Sequence, residues 1–201
     1  MLRLYDYLPS GNGYKVRLLL RQLGIQFERV EVDILRGATR TPDFLGKNSN
    51  GRIPVLEISA EERLAESNAI LFYLAEGTAF LPKARWQRAK VLEWLFFEQY
   101  SHEPNIATSR FWIKFVGLND ERRAALEQKQ RLGYAALAVM EQHLAARAFF
   151  VADTYTIADI ALYAYTHVAH EGGFDLGLYP AVRQWLERIR SQPGHVPITA
   201  G

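Results

Sequence analysis

The sequence contains no cysteine among its 201 residues. Disulfide bonds, a cysteine nucleophile and thiolate metal sites are therefore excluded, and any thiol chemistry must use a thiol that a ligand brings. The sequence also has no run of 18 apolar residues, so we expect no transmembrane helix. Residues 1–7 lack the long apolar segment of a secretory signal, which makes a cytoplasmic location the default expectation.

An excess of charge of one sign is absent as well. Lysine and arginine total 24 against 22 aspartate and glutamate residues, which gives a formal net charge of +2. The most notable basic run is the pair Arg122-Arg123, which is typical of a solvated helix face. Nucleic acid is therefore not expected as a partner. Apolar residues make up 49% of the chain, enough for one large or two small cores.

The first part of the chain predicts two strands separated by a helix. Leu2 and Leu4 alternate with polar neighbours, and residues 27–34 repeat this alternation. Between these strands, apolar residues spaced by three and four predict one face of a helix that ends at Gly24. These residues are Val16, Leu19, Leu20 and Leu23. Two strands joined by a helix favour a right-handed parallel βαβ unit.

Two short strands and a helix follow. Residues 55–58 and 63–65 flank a polar turn, which suits an antiparallel hairpin. Residues 66–76 have the composition of a helix. After a Pro-containing boundary near residue 80, nearly every segment has the apolar spacing of a helix. We therefore predict two domains, an α/β domain over residues 1–77 and an all-helical domain over residues 85–201.

The second half contains one strong local signal, the capping-box sequence Thr156-Ile157-Ala158-Asp159. The Thr156 hydroxyl can accept the backbone N–H of Asp159, and the carboxylate of Asp159 can accept the N–H of Thr156 in return. The apolar residues that follow predict a helix of the core. We expect Asp159 to serve folding rather than chemistry.

Two segments of the first half combine groups that suit a small peptide ligand. Residues 51–56 place Pro54 at the start of an apolar strand, and Glu66-Ser67 follows at the start of a helix. The unpaired N–H groups and the partial positive charge of a helix start favour a carboxylate. Without further context, Pro54 also fits a trans proline of an edge strand, and Ser67 also fits a simple helix cap.

The order of these elements and motifs resembles a cytosolic glutathione transferase, of the bacterial, serine-type kind, over the whole chain. The resemblance rests on Gly51-Arg52-Ile53-Pro54-Val55-Leu56, on Glu66-Ser67-Asn68-Ala69-Ile70 and on the capping box. It implies an α/β plus all-α fold, with a thioredoxin-like, glutathione-binding domain followed by an all-helical domain that contributes an electrophile pocket. It also implies glutathione as co-substrate, no metal and a homodimer.

The resemblance implies a role for each residue around Pro54. The peptide bond between Ile53 and Pro54 would be cis, and both residues would belong to the glutathione-binding segment. The backbone of Val55 would pair the cysteinyl part of glutathione like an added strand. Arg52 would reach the glycyl carboxylate. The alternatives in the preceding loop are Arg36, Arg40 and Lys47.

At the start of the next helix, the resemblance implies the subsite for the γ-glutamyl group. The N–H and hydroxyl of Ser67 would bind the α-carboxylate, and Glu66 would receive the ammonium group. A hydrogen bond between charged groups of this kind contributes about 1.5–3 kcal/mol.

The resemblance also places the thiol chemistry in the turn Ser10-Gly11-Asn12. Serine-type members carry there the hydroxyl that donates to the thiolate, and the helix start lowers the thiol pKa. Ser10 is thus the predicted donor and Asn12 the second candidate. Tyr5 and Tyr7 are competitors, because related classes use other donors. By residue type alone, Ser10 and Asn12 also fit plain turn and cap positions.

In the helical half, the resemblance implies that Tyr100, Phe111 and Trp112 line the electrophile pocket, although aromatic residues on helices more often belong to a core. His102 beside one glutamate is too isolated to favour a metal. The implied function is conjugation of the glutathione thiolate to a small hydrophobic electrophile. The alternatives are glutathione-dependent disulfide or peroxide reduction and a non-catalytic binding protein on the same fold.

Overall fold

The computed structural model describes all residues, 1–201. The chain divides into two compact units, one of residues 1–77 together with 193–201 and one of residues 78–192. The prediction from the sequence differs here, since it placed 85–201 together in the helical domain. Residues 193–201 group with the first unit because hydrogen bonds join them to its first helix.

The first unit contains a four-stranded sheet in the order β2-β1-β3-β4. β1 (Leu2–Asp6) pairs in parallel with β2 (Phe27–Glu31), and β3 (Val55–Glu57) pairs antiparallel with both β1 and β4 (Arg63–Ala65). The predicted parallel βαβ unit and antiparallel hairpin are both confirmed. β2 is shorter than predicted, because Asp33 caps a 3₁₀ turn that follows it.

Three helices complete the first unit: α1 (Gly11–Gln22), α2 (Pro42–Leu45) and α3 (Ser67–Ala75). α1 and α3 contribute to the apolar core on the sheet. Its fully buried members are Leu4, Val16, Leu20, Leu56 and Ile70. Burial stabilises the fold by about 1.5–3 kcal/mol for each such side chain. This packing fixes the starts of α1 and α3 against the sheet, where the predicted site residues lie.

The second unit is helical. Its helices are α4 (Arg85–Phe97), α5 (Glu103–Phe111), α6 (Asp120–Leu144), α7 (Ile157–Thr166) and α8 (Pro180–Arg190). Two π-helical segments, Glu98–His102 and Trp112–Val116, follow α4 and α5. All residues of α7 are buried, as expected for the core helix predicted after the capping box. None of the helices combines the length and the apolar character needed to span a bilayer.

The capping box at the start of α7 is confirmed. Oδ2 of Asp159 accepts the Thr156 N–H at 2.9 Å, while Oδ1 accepts the N–H of Phe150 at 3.1 Å and the indole N–H of Trp185 at 2.9 Å. Burial raises the pKa of the Asp159 carboxyl to about 6. The bonds to Phe150 and Trp185 join segments far apart in sequence, so the local pattern did not predict them.

Candidate functional site

The segment before β3 has the predicted backbone geometry. The Ile53–Pro54 peptide bond is cis. Pro54 is buried, Ile53 is half-buried and Arg52 is exposed. Ile53 lies outside the strands, and its N–H and C=O groups make no hydrogen bond within the protein. These two groups are the ones that this segment offers to a ligand.

Val55 lies in a different environment from the one predicted. It is fully buried within β3, opposite Tyr5 of β1 and Ala65 of β4. In a strand with neighbours on both sides, the N–H and C=O groups point at a neighbouring strand. The backbone of Val55 therefore has strand partners on both sides, whereas that of Ile53 has none. Which of the two residues pairs the ligand stays a prediction.

Glu66 holds an unusual backbone conformation at the start of α3. Its φ is 69° and its ψ is 110°, a region that residues other than glycine seldom adopt. Such a conformation costs about 1–3 kcal/mol and is concentrated at functional sites. The Glu66 side chain is exposed and makes no capping bond, so its carboxylate faces solvent beside the helix start. The first residue of α3, Ser67, is buried directly behind it.

A buried lysine that the sequence analysis missed joins α1 to the start of α3. Nζ of Lys15 donates to Oγ of Ser67 at 3.3 Å and to Oδ1 of Asn68 at 3.4 Å. The Lys15 side chain is fully buried. Its spacing from Leu18 and Leu19, three and four residues, is the signal that could have placed it on the buried face of α1.

Asn12 belongs to the same cluster. The hydroxyl of Ser67 donates to Oδ1 of Asn12 at 3.3 Å. The structure thus brings Asn12, predicted as the second candidate for the thiolate, next to Ser67, predicted for the carboxylate. Because a lysine can only donate, Ser67 must accept from Lys15, and its own proton is directed away from the lysine.

Ser10 occupies the N-cap position of α1, and its Oγ accepts the N–H of Gly13 at 3.3 Å. This is its one side-chain hydrogen bond, so the hydroxyl proton is available to an acceptor at the helix start. The competitor Tyr5 directs its hydroxyl to the carboxylate of Glu57 at 3.3 Å. The other competitor, Tyr7, has its pKa raised by burial, which disfavours its ionised form.

Asp6 and Arg17 form a buried ion pair beneath the same turn. Nε of Arg17 lies 2.9 Å from Oδ2 of Asp6, and the two side chains are 1% and 0% exposed. Burial raises the pKa of Asp6 to about 6, although the charge of Arg17 acts in the opposite direction. A Cβ at Gly13 would lie 1.5 Å from Oδ1 of Asp6, so only glycine fits at this position of the turn.

The basic residues predicted for the glycyl carboxylate differ in their partners. The guanidinium of Arg52 is exposed and makes no ion pair or hydrogen bond, while its carbonyl accepts the side-chain amide of Asn48 at 2.8 Å. The alternatives each bind a neighbour within their own loop: Arg36, Arg40 and Lys47. Arg52 is therefore the basic side chain of this segment that is best placed to bind a ligand anion.

The aromatic residues predicted for the electrophile pocket are exposed to different degrees. Tyr100 is 88% exposed in the π-helical segment after α4. Phe111, at the end of α5, and the adjacent Trp112 are half-buried, and the ring of Phe111 lies 6.0 Å from that of Phe115. The pocket that they were predicted to form stays a prediction.

His102 is buried and bonded to a neighbouring helix, which indicates a structural role. It is fully buried, and its Nε2 lies 2.8 Å from Oγ1 of Thr166, whose own proton goes to the carbonyl of Leu162. The Thr166 oxygen therefore accepts from the imidazole, which fixes Nε2 as a donor. No group of three or more histidine, aspartate or glutamate side chains with the spacing of a metal site occurs in the structure.

Comparison with known protein families covers most of the chain. A family model described as the glutathione S-transferase N-terminal domain matches residues 1–76, and one described as the C-terminal domain matches residues 92–193. The chain belongs to the glutathione S-transferase family. The predicted glutathione transferase fold, a thioredoxin-like domain followed by a helical one, is thereby confirmed.

Individual members of the family are similar over nearly the whole chain. A solved structure of glutathione S-transferase from Pseudomonas fluorescens Pf-5 is 51% identical, with a TM-score of 0.97 and 99% of each chain covered. The disulfide-bond oxidoreductase YfcG of Escherichia coli is 32% identical over 96% of this chain and 92% of its own length. A glutathione transferase from Burkholderia graminis, solved with two glutathione molecules per subunit, is 28% identical, with a TM-score of 0.84 and coverage of 96% and 85%.

Proposed function

We propose that this glutathione S-transferase family member binds glutathione in its first unit and transfers the thiolate to a small hydrophobic electrophile. The observation that carries the proposal is the cluster of Lys15, Asn12 and Ser67 at the start of α3. It combines a buried positive charge, a hydroxyl whose proton points away from that charge, and the N-terminal amides of a helix. These are the groups that hold a carboxylate.

The γ-glutamyl end of glutathione would bind at this cluster. Its α-carboxylate would accept the N–H of Ser67 and, when the Ser67 proton turns from Asn12, its hydroxyl. The charge of Lys15 behind Ser67 favours the anion. The exposed carboxylate of Glu66, held at the helix start by its backbone conformation, would receive the ligand ammonium.

The remainder of glutathione would lie along the segment before β3. The N–H and C=O groups of Ile53 make no bond within the protein and would pair the cysteinyl backbone. The exposed guanidinium of Arg52 would then bind the glycyl carboxylate. Pro54 and Val55 support this segment from the buried side and make no polar contact with the ligand.

The thiol would lie at the start of α1. The Ser10 hydroxyl would donate to the thiolate, and the partial positive charge of the helix start would favour the same ionised form. We expect these effects together to lower the thiol pKa by about one to two units. The sulfur then attacks the electrophilic carbon, and the leaving group departs with the bonding electron pair. The protein supplies thiolate stabilisation and proximity rather than a covalent intermediate.

Calorimetric titration of the full chain with glutathione, followed by turnover of a chloro-nitro aromatic, tests the proposal. Binding together with release of chloride supports conjugation. A titration without heat and without thermal stabilisation would contradict both enzymatic readings and leave a non-catalytic protein on this fold.

Glutathione-dependent disulfide reduction is the second candidate. The observation that favours it is the 32% identity to the E. coli protein named a disulfide-bond oxidoreductase. Since this chain has no cysteine, the mixed disulfide would form between glutathione and one half of the substrate disulfide, with the other half leaving as a thiolate. A second glutathione thiolate would then attack the glutathione sulfur of this mixed disulfide, which releases the remaining half as a thiolate and forms glutathione disulfide. Turnover of hydroxyethyl disulfide that exceeds turnover of the chloro-nitro aromatic would favour this reading.

We also propose that the protein is a homodimer. Trp86 and Phe96 are 75% and 70% exposed on α4, and aromatic side chains are enriched at protein–protein interfaces. Light scattering during size-exclusion chromatography should give twice the mass of one chain, and Trp86→Glu with Phe96→Glu should give a folded monomer. A monomeric wild-type protein would contradict the proposal. The cytoplasmic location stays a prediction.

A further inference from the structure

Residues 194–201, which we call the strap, run along one face of α1. The hydroxyl of Tyr14 donates to the carbonyl of Val196 at 2.6 Å, and Nη2 of Arg21 donates to the backbone oxygen of Gly201 at 2.9 Å. These two contacts hold the strap near both of its ends. Tyr14 and Arg21 lie seven residues apart, so they occupy the same face of the helix.

Arg17 occupies the middle of that face and contacts three segments at once. Its Nε donates to Asp6 at 2.9 Å, its Nη2 to the carbonyl of Leu8 at 2.6 Å, and its Nη1 to the carbonyls of Ile198 at 3.0 Å and of Ala200. The side chain is 1% exposed. A guanidinium is planar and holds its N–H groups in a fixed fork, so contacts on two sides determine where the third side points.

The third contact of Arg17 lies in the loop that carries the proposed thiolate donor. Leu8 is two residues before Ser10, and the N–H of Ser10 bonds to the carbonyl of Tyr7 at 2.7 Å. The position of the Leu8 carbonyl therefore constrains both the direction of the loop and the Ser10 side chain. Since the same guanidinium binds the strap, a displacement of the strap would move the guanidinium and with it the hydrogen bond to Leu8.

We propose that Arg17 is a positioning residue for Ser10 and that the strap acts through it. With the strap docked, Nη1 is satisfied by two carbonyls and Nη2 is directed at Leu8, which holds the Ser10 hydroxyl in the orientation that donates to the thiolate. With the strap released, Nη1 donates to water instead of to the two strap carbonyls, and the guanidinium no longer has one fixed orientation. This inference deepens the proposed function and rests on it for the role of Ser10.

Two substitutions separate the role of the Arg17 guanidinium from that of the strap. Arg17→Lys keeps a positive charge for Asp6, but a lysine cannot bind the loop and the strap with one rigid group. Tyr14→Phe removes the hydroxyl that donates to the Val196 carbonyl and lies 3.3 Å from Nε2 of His195, both in the strap, and leaves Arg17 and its ion pair in place. Arg3→Lys, the same change at an exposed position of β1, is the matched control.

The first readout is amide hydrogen exchange of residues 7–13 in the full chain without glutathione. Loss of the Leu8 contact in Arg17→Lys should speed exchange there by about tenfold, the effect of one hydrogen bond. Tyr14→Phe should change it in the same direction. The second readout is the thiol pKa of bound glutathione, which should rise by about half a unit or more in Arg17→Lys, with the glutathione Kd within about threefold of wild type.

The double variant decides whether the strap acts through Arg17. If it does, Tyr14→Phe has no further effect on exchange or on thiol pKa in the Arg17→Lys background. Additive effects, or a wild-type thiol pKa in Arg17→Lys, would overturn the inference. If Arg17→Lys does not fold, wild-type exchange in Tyr14→Phe overturns it alone. A wild-type protein that binds no glutathione refutes the proposed function, while the exchange result still tests the coupling of strap and loop.

Discussion

Nζ of Lys15, fully buried on α1, lies 3.3 Å from Oγ of Ser67, the first residue of α3. This pair joins the starts of the two helices on which the proposed glutathione site depends. It places a full positive charge behind amides that already carry the positive end of the helix dipole. The pair therefore favours a ligand carboxylate at Ser67 over a neutral group of the same shape.

Replacement of this lysine should weaken glutathione binding selectively. We expect Lys15→Met to raise the glutathione Kd by about tenfold or more, since the ligand carboxylate loses the attraction of a nearby positive charge and a loss of about 1.4 kcal/mol is tenfold in Kd. The Kd of an analogue without the γ-glutamyl α-carboxylate should change little. Arg63→Met, which removes an exposed charge from β4, serves as control. Calorimetry measures the affinity of the wild type and of both variants for each of the two ligands. An equal loss for both ligands would mean that Lys15 serves folding alone.

Removal of the Ser10 hydroxyl should lower turnover without loss of affinity. Ser10→Ala should reduce kcat by about tenfold or more, because one pKa unit of thiolate stabilisation corresponds to about 1.4 kcal/mol. The glutathione Kd should stay within about twofold. Steady-state kinetics at saturating glutathione measure the effect.

Ser10→Gly distinguishes catalysis from helix capping. Glycine at an N-cap costs only a few tenths of a kcal/mol, whereas alanine costs about 1 kcal/mol. If the hydroxyl is the donor, both variants lose activity equally. If the glycine variant retains wild-type kcat, the loss in Ser10→Ala reflects the cap and not the thiolate.

Asn12→Ala tests the second candidate for the thiolate. Its Oδ1 accepts the Ser67 hydroxyl, so we expect the substitution to change the glutathione Kd and to leave the thiol pKa of bound glutathione at its wild-type value. Calorimetry and ultraviolet absorbance of the thiolate measure the two quantities. A raised thiol pKa with unchanged Kd would instead make Asn12 the thiolate donor.

Loss of the Asp159 carboxylate should destabilise the helical unit. In Asp159→Ala the N–H groups of Thr156, Phe150 and Trp185 lose their acceptor within the buried core. We expect the free energy of unfolding to fall by about 3 kcal/mol or more, beyond the cost of about 1 kcal/mol for a cap alone. Urea denaturation measures this, with the exposed change Glu127→Ala as control. A loss no larger than that of the control would contradict the account.

The same carboxyl should make stability depend on pH. Burial raises its pKa to about 6 in the folded chain, whereas the unfolded chain has the usual value of about 4. Between these values the folded state binds more protons, so the free energy of unfolding falls as pH rises from about 4 to about 6. Above about pH 6 the Asp159 carboxyl contributes no further change in this free energy. Asp159→Asn should remove this part of the slope, at most about 1.4 kcal/mol per pH unit. A wild-type slope in the variant would contradict the raised pKa.

The sequence predicted those parts of the fold and site that depend on local patterns. Alternation over Leu2–Asp6 and the apolar spacing along α1 are sufficient for the βαβ unit. The capping box is contained within four residues. The placement of Ser10 at a helix N-cap follows from turn residues directly before an apolar helical stretch.

What the sequence did not predict depends on contacts between distant residues. The sheet order, which gives β3 and thus Val55 a neighbour on each side, is not a local property of the sequence. No local pattern indicates the role of Lys15, because its partners on α3 lie more than fifty residues away. The sequence predicts the strap as part of the helical domain, since the backbone carbonyls of the strap that bind Arg17 leave no signature in residue type.

The ionisation of glutathione bound to the full chain decides whether the protein stabilises the thiolate, and ultraviolet absorbance follows it as pH is varied. A free cysteine thiol has a pKa of about 8.5. We expect the thiol pKa of bound glutathione to be about one to two units lower than that of free glutathione, and nearer the free value in Ser10→Ala. An unshifted pKa with saturating glutathione bound would contradict the claim that the start of α1 and Ser10 stabilise the thiolate.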